Sequence, residues 1–239
     1  MSKLLVEKYQ PLRLDDLSYN KHIDSILQKL ATQTNFSHLI FYGQDGAGKK
    51  TRIRVLLQLM FNENVHKLRI EHKEMKINST KVEYNIATSP YHIELTPSDS
   101  KNHDRHIIQY VIKEVASTKN IQLQNNVKSS KIIVIHEADN LSREAQSSLR
   151  RTMEKYIGNC RLIMTCTQLS KILPPIRSRC LAIRVPSPTT SDISKILRDI
   201  RHLEEFEVNE NQLSAIVNSC NRNLREAIFN LQISKYFLI

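Results

Sequence analysis

The sequence predicts an α/β fold in which a parallel sheet is followed by a small helical unit, and three observations predict it. Apolar runs at Leu39–Tyr42, Ile132–Ile135 and Arg161–Cys166 alternate with stretches of helical periodicity, the order expected of strand–helix units around a buried parallel sheet. Glycine occurs only 4 times in 239 residues, and three of the four, Gly43, Gly46 and Gly48, follow the first apolar run within six positions. Beyond Pro186 only helical patterns remain.

The elements follow in order. The opening segment to about Asp16 is short and mixed, and Ile23, Ile26, Leu27 and Leu30 then recur at helical spacing. Leu39–Tyr42 reads as a buried strand ending at Gly43, and Ile53, Leu56, Leu57 and Met60 place a helix after the glycines. Strands are expected near 67–71, 82–87 and 91–95, a helix over 104–118, and a polar surface loop over 120–130. Ile132–Ile135 is a second buried strand, 145–156 a helix, and 161–166 a further strand. Pro174-Pro175 breaks the chain before a strand at 180–185. The proline-rich link Pro186-Ser187-Pro188 then divides an α/β domain, 1–185, from a helical domain, 186–239, with helices at 193–200, 213–217 and 224–238.

Composition narrows the class of partner. Lys+Arg 35 against Asp+Glu 24 gives a net charge of +11 and a pI near 9.5, a balance suited to a polyanion, nucleic acid first. The cysteines, Cys160, Cys166, Cys180 and Cys220, have neither zinc-site spacing nor the density of a disulfide framework, so reduced thiols in cytosol or nucleus are expected. No apolar leader opens the sequence, and no apolar run is long enough to span a bilayer.

The glycine cluster carries the chemistry. Gly43-Gln44-Asp45-Gly46-Ala47-Gly48-Lys49-Lys50 fits the phosphate-binding loop pattern G-x-x-x-x-G-K-[ST] at every position but the last. Glycines let the backbone N–H groups face phosphate oxygens at a helix N-terminus, and Lys49 is placed to reach the β/γ-phosphates. The last position supplies a hydroxyl to Mg²⁺ in the pattern, and here it is Lys50, whose ammonium cannot ligate a cation. Thr51 carries a hydroxyl but is turned by about 100° around the helix. The strand ending His136-Glu137-Ala138-Asp139 repeats the pattern: His136 stands where an aspartate would hold the metal shell, while Glu137 keeps the position of a general base.

Further motifs carry a family resemblance. Glu7-Lys8-Tyr9-Gln10-Pro11, Leu149–Tyr156 (LRRTMEKY) and Pro175–Cys180 (PIRSRC) resemble the small subunits of replication factor C, the eukaryotic clamp loader of the AAA+ class. The Lys49-Lys50-Thr51 loop, Leu68–His72 and Ser89–Asp99 are similar to its ATPase-deficient small subunit. The likeness runs from about residue 5 to 230 and implies an AAA+ phosphate-loop domain followed by a helical lid.

The resemblance also implies site residues and partners. Bound ATP or ADP would be held by Gly43, Gly46, Ala47, Gly48, Lys49, Lys50 and Thr51, by Tyr9 and Pro11 on the base side, and by Arg225 from the lid. Two of the usual Mg²⁺ positions are missing. Arg179 matches the arginine finger inserted into a neighbour's ATP site, a task suited to a permanently charged planar fork. Glu137 would be a vestigial base; Thr167 stands at the first sensor position, where the family has asparagine, and Gln10 where it has arginine. The implied partners are the other subunits of a hetero-pentamer, the sliding clamp (proliferating cell nuclear antigen) and primer–template DNA, in the nucleus and without a membrane, in replication and repair. Arg105 is the candidate DNA contact, with Lys155, Arg161, Lys171, Arg177, Arg179 and Arg184 forming a basic stretch. The family's helical collar after the lid does not appear before Ile239. A non-catalytic or weakly catalytic subunit is the leading expectation; an active ATPase using Glu137, and a DNA- or clamp-binding module without nucleotide, are the alternatives.

Overall fold

The computed structural model describes residues 3–33, 36–61, 63–77, 80–100, 103–117, 131–156, 158, 160–205 and 208–237; the loop expected over 120–130 lies outside them. The chain forms two compact units, one made of Lys29–Tyr42 and Leu56–Arg184, the other of Met1–Gln28, Gly43–Val55 and Val185–Ile239.

The first unit holds a seven-stranded sheet. Its strands are β1 (His38–Tyr42), β2 (Arg69–Ile77), β3 (Thr80–Thr88), β4 (His92–Leu95), β5 (Lys131–Ile135), β6 (Cys160–Cys166) and β7 (Cys180–Arg184), in the order β2-β3-β4-β5-β6-β1-β7. From β4 to β7 every pairing is parallel, with Leu39 opposite both Ile163 and Leu181. These are the apolar runs of the sequence, and β6 is buried along its whole length, as a strand covered on both faces must be.

The parallel sheet is extended at one edge by antiparallel strands. β2 and β3 pair antiparallel over nine positions, and β3 pairs antiparallel with β4. Only two residues separate Ile77 from Thr80, far too few for a parallel crossover. The strand expected at 67–71 is therefore the start of a longer, largely exposed one.

Helices α4 (Asp104–Ser117) and α5 (Arg143–Lys155) cover the sheet. Ile107, Ile108, Val111 and Ile112 of α4 and Leu149 and Met153 of α5 share one core with Ile133, Ile135, Leu162 and Met164. Ser142 caps α5 by accepting from the Ala145 N–H, and Asp104 accepts from both the N–H and the hydroxyl of Ser142. Pro174-Pro175, read as a chain break, open the short helix α6 (Pro174–Arg177), where their missing N–H groups cost nothing.

The second unit is helical. α7 (Thr190–Leu203) starts at a Thr189–Asp192 capping box and α8 (Glu210–Ser219) at an Asn209–Gln212 box; α9 (Leu224–Phe237) follows. Ile193, Leu197, Leu213, Val217, Ala227 and Leu231 form its core, and Leu5 of α1 (Leu5–Lys8) is buried among them. The opening segment thus has a packed place that its mixed composition does not announce. Also present here are most of α2 (Lys21–Thr32) and the first turns of α3 (Lys49–Phe61).

Candidate functional site

In the helical unit the chain passes Gly43 and reaches α3 through a tight loop. A side chain at Gly43 would collide with the Val185 carbonyl oxygen, and one at Gly46 with the Asn223 side chain. Gly46 and Gly48 have φ of 72° and 84°, in the left-handed region that glycine adopts without strain. The cluster of glycines that the sequence concentrates here is therefore required by backbone shape and by close neighbours.

Lys49 folds back over this loop. Its Nζ donates to the carbonyl oxygens of Gly43 (2.6 Å) and Gln44 (2.9 Å) and lies 3.4 Å from Asp45 Oδ1. Lys50, Thr51 and Arg54 of α3 face the same cavity as Gly46 and Gly48. This cavity is about 390 Å³ and lies wholly within the helical unit. Tyr9, Gln10 and Pro11 line it on one side; Ile200 of α7 and Leu224 and Arg225 of α9 line it on another.

A nucleotide fits these residues. The volume lies in the range of small-ligand pockets, one part is glycine backbone at a helix N-terminus beside cations, and another is apolar. Of the residues expected to hold it, Gly46, Gly48, Lys50, Thr51, Tyr9, Pro11 and Arg225 line the cavity; Gly43, Ala47 and Lys49 shape the loop behind it.

The sequence reading missed the network that anchors the cavity. Glu204, at the end of α7, accepts from Lys8 Nζ (2.6 Å), Tyr9 Oη (2.8 Å) and Lys235 Nζ (2.8 Å). Hydrogen bonds from Lys235, Lys8 and Tyr9, in that order, hold the Glu204 carboxyl down at about 2. Arg54 Nη1 donates to Gln10 Oε1 at 2.9 Å, so the residue standing where the family has arginine is bonded to one from α3. None of these partners is near its mate in sequence, and no local pattern signals them.

The strand-end residues lie in the sheet unit. His136 is buried; its Nε2 is 3.1 Å from Glu94 Oε2, and its Nδ1 is 3.5 Å from Thr165 Oγ1. The other oxygen of Glu94 is 3.3 Å from His92 Nε2, and His92 Nδ1 is 2.7 Å from Ser89 Oγ. Glu137 turns out to solvent in a left-handed conformation (φ 54°, ψ 45°), its N–H donating to Thr165 Oγ1 and its Oε2 accepting from Asn140. Asp139 accepts from the N–H groups of Thr167 and Gln168, and Thr167 is exposed.

Mg²⁺ does not fit the residues at its usual positions. Lys50 presents an ammonium, and the imidazole of His136 is occupied by a buried carboxylate. Among the described residues there is no cluster of three or more His, Cys, Asp or Glu side chains able to hold a metal ion.

Arg179 follows α6 on the surface. It pairs with Glu154 of α5 (Nη2–Oε1 2.6 Å) and donates from Nη1 to the Pro175 carbonyl (2.7 Å) and the Ser178 hydroxyl (3.3 Å). Of the basic stretch, Lys155, Lys171, Arg177 and Arg184 are exposed, but Arg161 is not: it is buried and donates to the Phe36 and Cys160 carbonyls. Arg161 thus belongs to the core around β6 and is removed from the candidate DNA contacts. Arg105 is exposed, 3.5 Å from Glu144.

Known proteins share much of this chain. Residues 19–189 match the family described as DNA polymerase III, delta subunit. Replication factor C subunit 5 of Saccharomyces cerevisiae is 41% identical over 236 residues, 96% of this chain and 67% of that protein. Replication factor C subunit 3 of Homo sapiens is 42% identical over 226 residues, 94% of this chain and 63% of that protein. The chain thus spans about two thirds of the length of these relatives. A solved structure of the Thermotoga maritima RuvB Holliday junction branch migration motor superposes with a TM-score of 0.61 over 96% of this chain and 66% of that one. At 14% identity, that likeness shows a shared fold alone.

Proposed function

We propose a function from one premise: the chain belongs to the replication factor C small-subunit family of clamp loaders. Within that family it acts as a nucleotide-holding subunit with little or no hydrolysis of its own, in the assembly that loads the sliding clamp onto primer–template DNA in the nucleus. Residues 1–185 serve as the nucleotide-binding domain and 186–239 as its lid. The observation that carries the non-hydrolytic part is His136, whose ring is spent on Glu94 and Thr165 inside the sheet unit.

In this reading the loop N–H groups of Gly46–Thr51 hold the phosphates of ATP or ADP, with Lys49 released from the Gly43 and Gln44 carbonyls towards them. Tyr9 and Pro11 flank the base, and Arg225 reaches the nucleotide from α9. Glu137 remains at the base position, yet without a metal the attacking water and the transferred phosphate lose the ion that would polarise and align them. Arg179 leaves Glu154 to bridge phosphate oxygens in the neighbouring subunit's site. Arg105, Lys155, Lys171, Arg177 and Arg184 supply sequence-blind contacts to the DNA backbone.

The test is nucleotide content and turnover of the purified chain. Mass spectrometry after denaturation is expected to release ADP or ATP, and Mg-ATP is expected to persist on incubation. Steady turnover abolished by Glu137→Gln would establish the active ATPase instead. Absence of both co-purified nucleotide and ADP affinity would leave a DNA- or clamp-binding module.

A further inference from the structure

Beneath the phosphate loop lies a cation that has no part in the site above. Arg52, three residues into α3, is fully buried. Its Nη2 donates to the Tyr19 carbonyl (2.8 Å) and its Nη1 to the Ala47 carbonyl (3.3 Å), while its guanidinium carbon lies 4.6 Å from the centre of the Tyr19 ring. The Tyr19 hydroxyl donates to the same Ala47 oxygen at 3.0 Å. A side chain at Gly48 would strike both, at 2.6 Å from Tyr19 Oη and 2.9 Å from Arg52 Nη1.

The electrostatics of this strut are unusual. A guanidinium is always charged, and burying one is costly unless an anion compensates it. The hydrogen bonds of Arg52 go to carbonyl oxygens, and its Nε has no partner among the described residues. The buried carboxylate of Asp24 feels this charge, but its Oδ1 makes no hydrogen bond among the described residues. Lys49, Lys50, Arg52 and Arg54 thus put four cations within six residues at the start of α3. In other phosphate loops a divalent ion shares the work of neutralising a polyphosphate.

We propose that Arg52 is the positioning residue that lets this loop hold a metal-free nucleoside polyphosphate: with Tyr19 it fixes the Ala47 carbonyl from below, and its charge stands under the cradle in place of a divalent cation. The inference rests on the nucleotide reading of the loop and specifies the form of the ligand. Binding adds a second counter-charge to that of Asp24, because phosphate sits across the Ala47–Gly48 backbone from the guanidinium. Arg52 acts through the loop and not by touching the ligand.

The experiment measures ADP affinity of the full chain, stripped of nucleotide, in EDTA and in excess Mg²⁺. The wild-type affinity is expected to differ by less than ~3-fold between the two buffers. Arg52→Gln keeps hydrogen-bond donors but not the charge; it is expected to weaken binding at least ~10-fold in EDTA and to recover part of it with Mg²⁺. Arg52→Lys keeps the charge and is expected to stay within ~3-fold of wild type in EDTA. Equal losses with and without Mg²⁺ would reveal a merely structural role and overturn the proposal, as would a wild type that binds only with Mg²⁺. Should Arg52→Gln not fold, Arg52→Lys decides: near-wild-type binding in EDTA supports the proposal, and a loss that Mg²⁺ does not relieve sinks it. Lys49→Ala separates the two levels. If it leaves ADP binding intact, the phosphate loop is not the nucleotide site and both readings fail; if it abolishes binding while Arg52→Gln does not, only the role of Arg52 fails.

Discussion

His136 Nε2 lies 3.1 Å from Glu94 Oε2, and both side chains are withdrawn from solvent. A position that elsewhere could orient a metal shell is here part of a buried chain from Ser89 through His92, Glu94 and His136 to Thr165. Putting an aspartate back at His136 would set two carboxylates against each other in the interior. His136→Asp is therefore expected to lower stability by about 3 kcal/mol, as breaking a buried pair does, without creating ATPase activity. Urea unfolding and phosphate release check the two halves.

Lys50→Thr restores a hydroxyl to the phosphate loop, but the sheet unit still presents His136. No turnover is expected from this variant alone. ADP affinity in EDTA is expected to fall ~3- to 10-fold because one cation is lost, read by calorimetry.

Glu204 gives a pH signature. Its folded value of about 2 lies below the ordinary 4.5, so its bonds to Lys235, Lys8 and Tyr9 contribute stability in full above pH 4.5. That contribution is lost as pH falls from 4.5 through 2. The stability gap between wild type and Glu204→Gln, from denaturant midpoints at stepped pH, is expected to be constant above pH 5 and to shrink through this window.

His38 acts in a higher window. Burial first, and then the charge of Arg161, lower its ring from 6.5 to about 4; its Nδ1 accepts from the Leu162 N–H. The folded state prefers the neutral ring, so stability is retained above pH 6.5 and falls as pH drops from 6.5 through 4. His38→Asn is expected to flatten that slope in the same denaturant series.

Arg179 can be examined in a reconstituted loader. Arg179→Ala is expected to reduce hydrolysis at the neighbouring site at least ~10³-fold, the scale of an arginine finger, while this chain keeps its nucleotide. Unchanged turnover would remove the trans role. Glu154→Gln, which cuts the 2.6 Å ion pair, is expected to spare that hydrolysis.

What the sequence reveals depends on the range of the interaction. The parallel strands are legible because burial on both faces leaves a continuous apolar run, as at Ile132–Ile135. β2 is not, since its run of Arg, Glu, His and Lys is exposed and takes its strand form from pairing with β3. The glycine loop is legible because tight backbone geometry admits few residue types. Arg52 and Arg161 mislead for one reason: composition counts them as surface charge, whereas carbonyl oxygens 33 and 125 residues away hold them in the interior. The Glu94–His136 bond spans 42 residues and leaves no mark on local pattern.

The Leu5 N–H donates to Gln232 Oε1 across 227 residues, and Leu5 is buried with Leu231. The strands of the sheet unit have all been made once Arg184 has been added, but the helical unit must wait for α9. At about 5–20 residues per second, the phosphate loop leaves the ribosome roughly 10–35 s before the helix that closes its pocket. During that interval the opening segment exposes Leu5, Tyr9 and their neighbours without the surface they pack on. The order in which the parts are translated thus delays burial of the opening segment until α9 has been made.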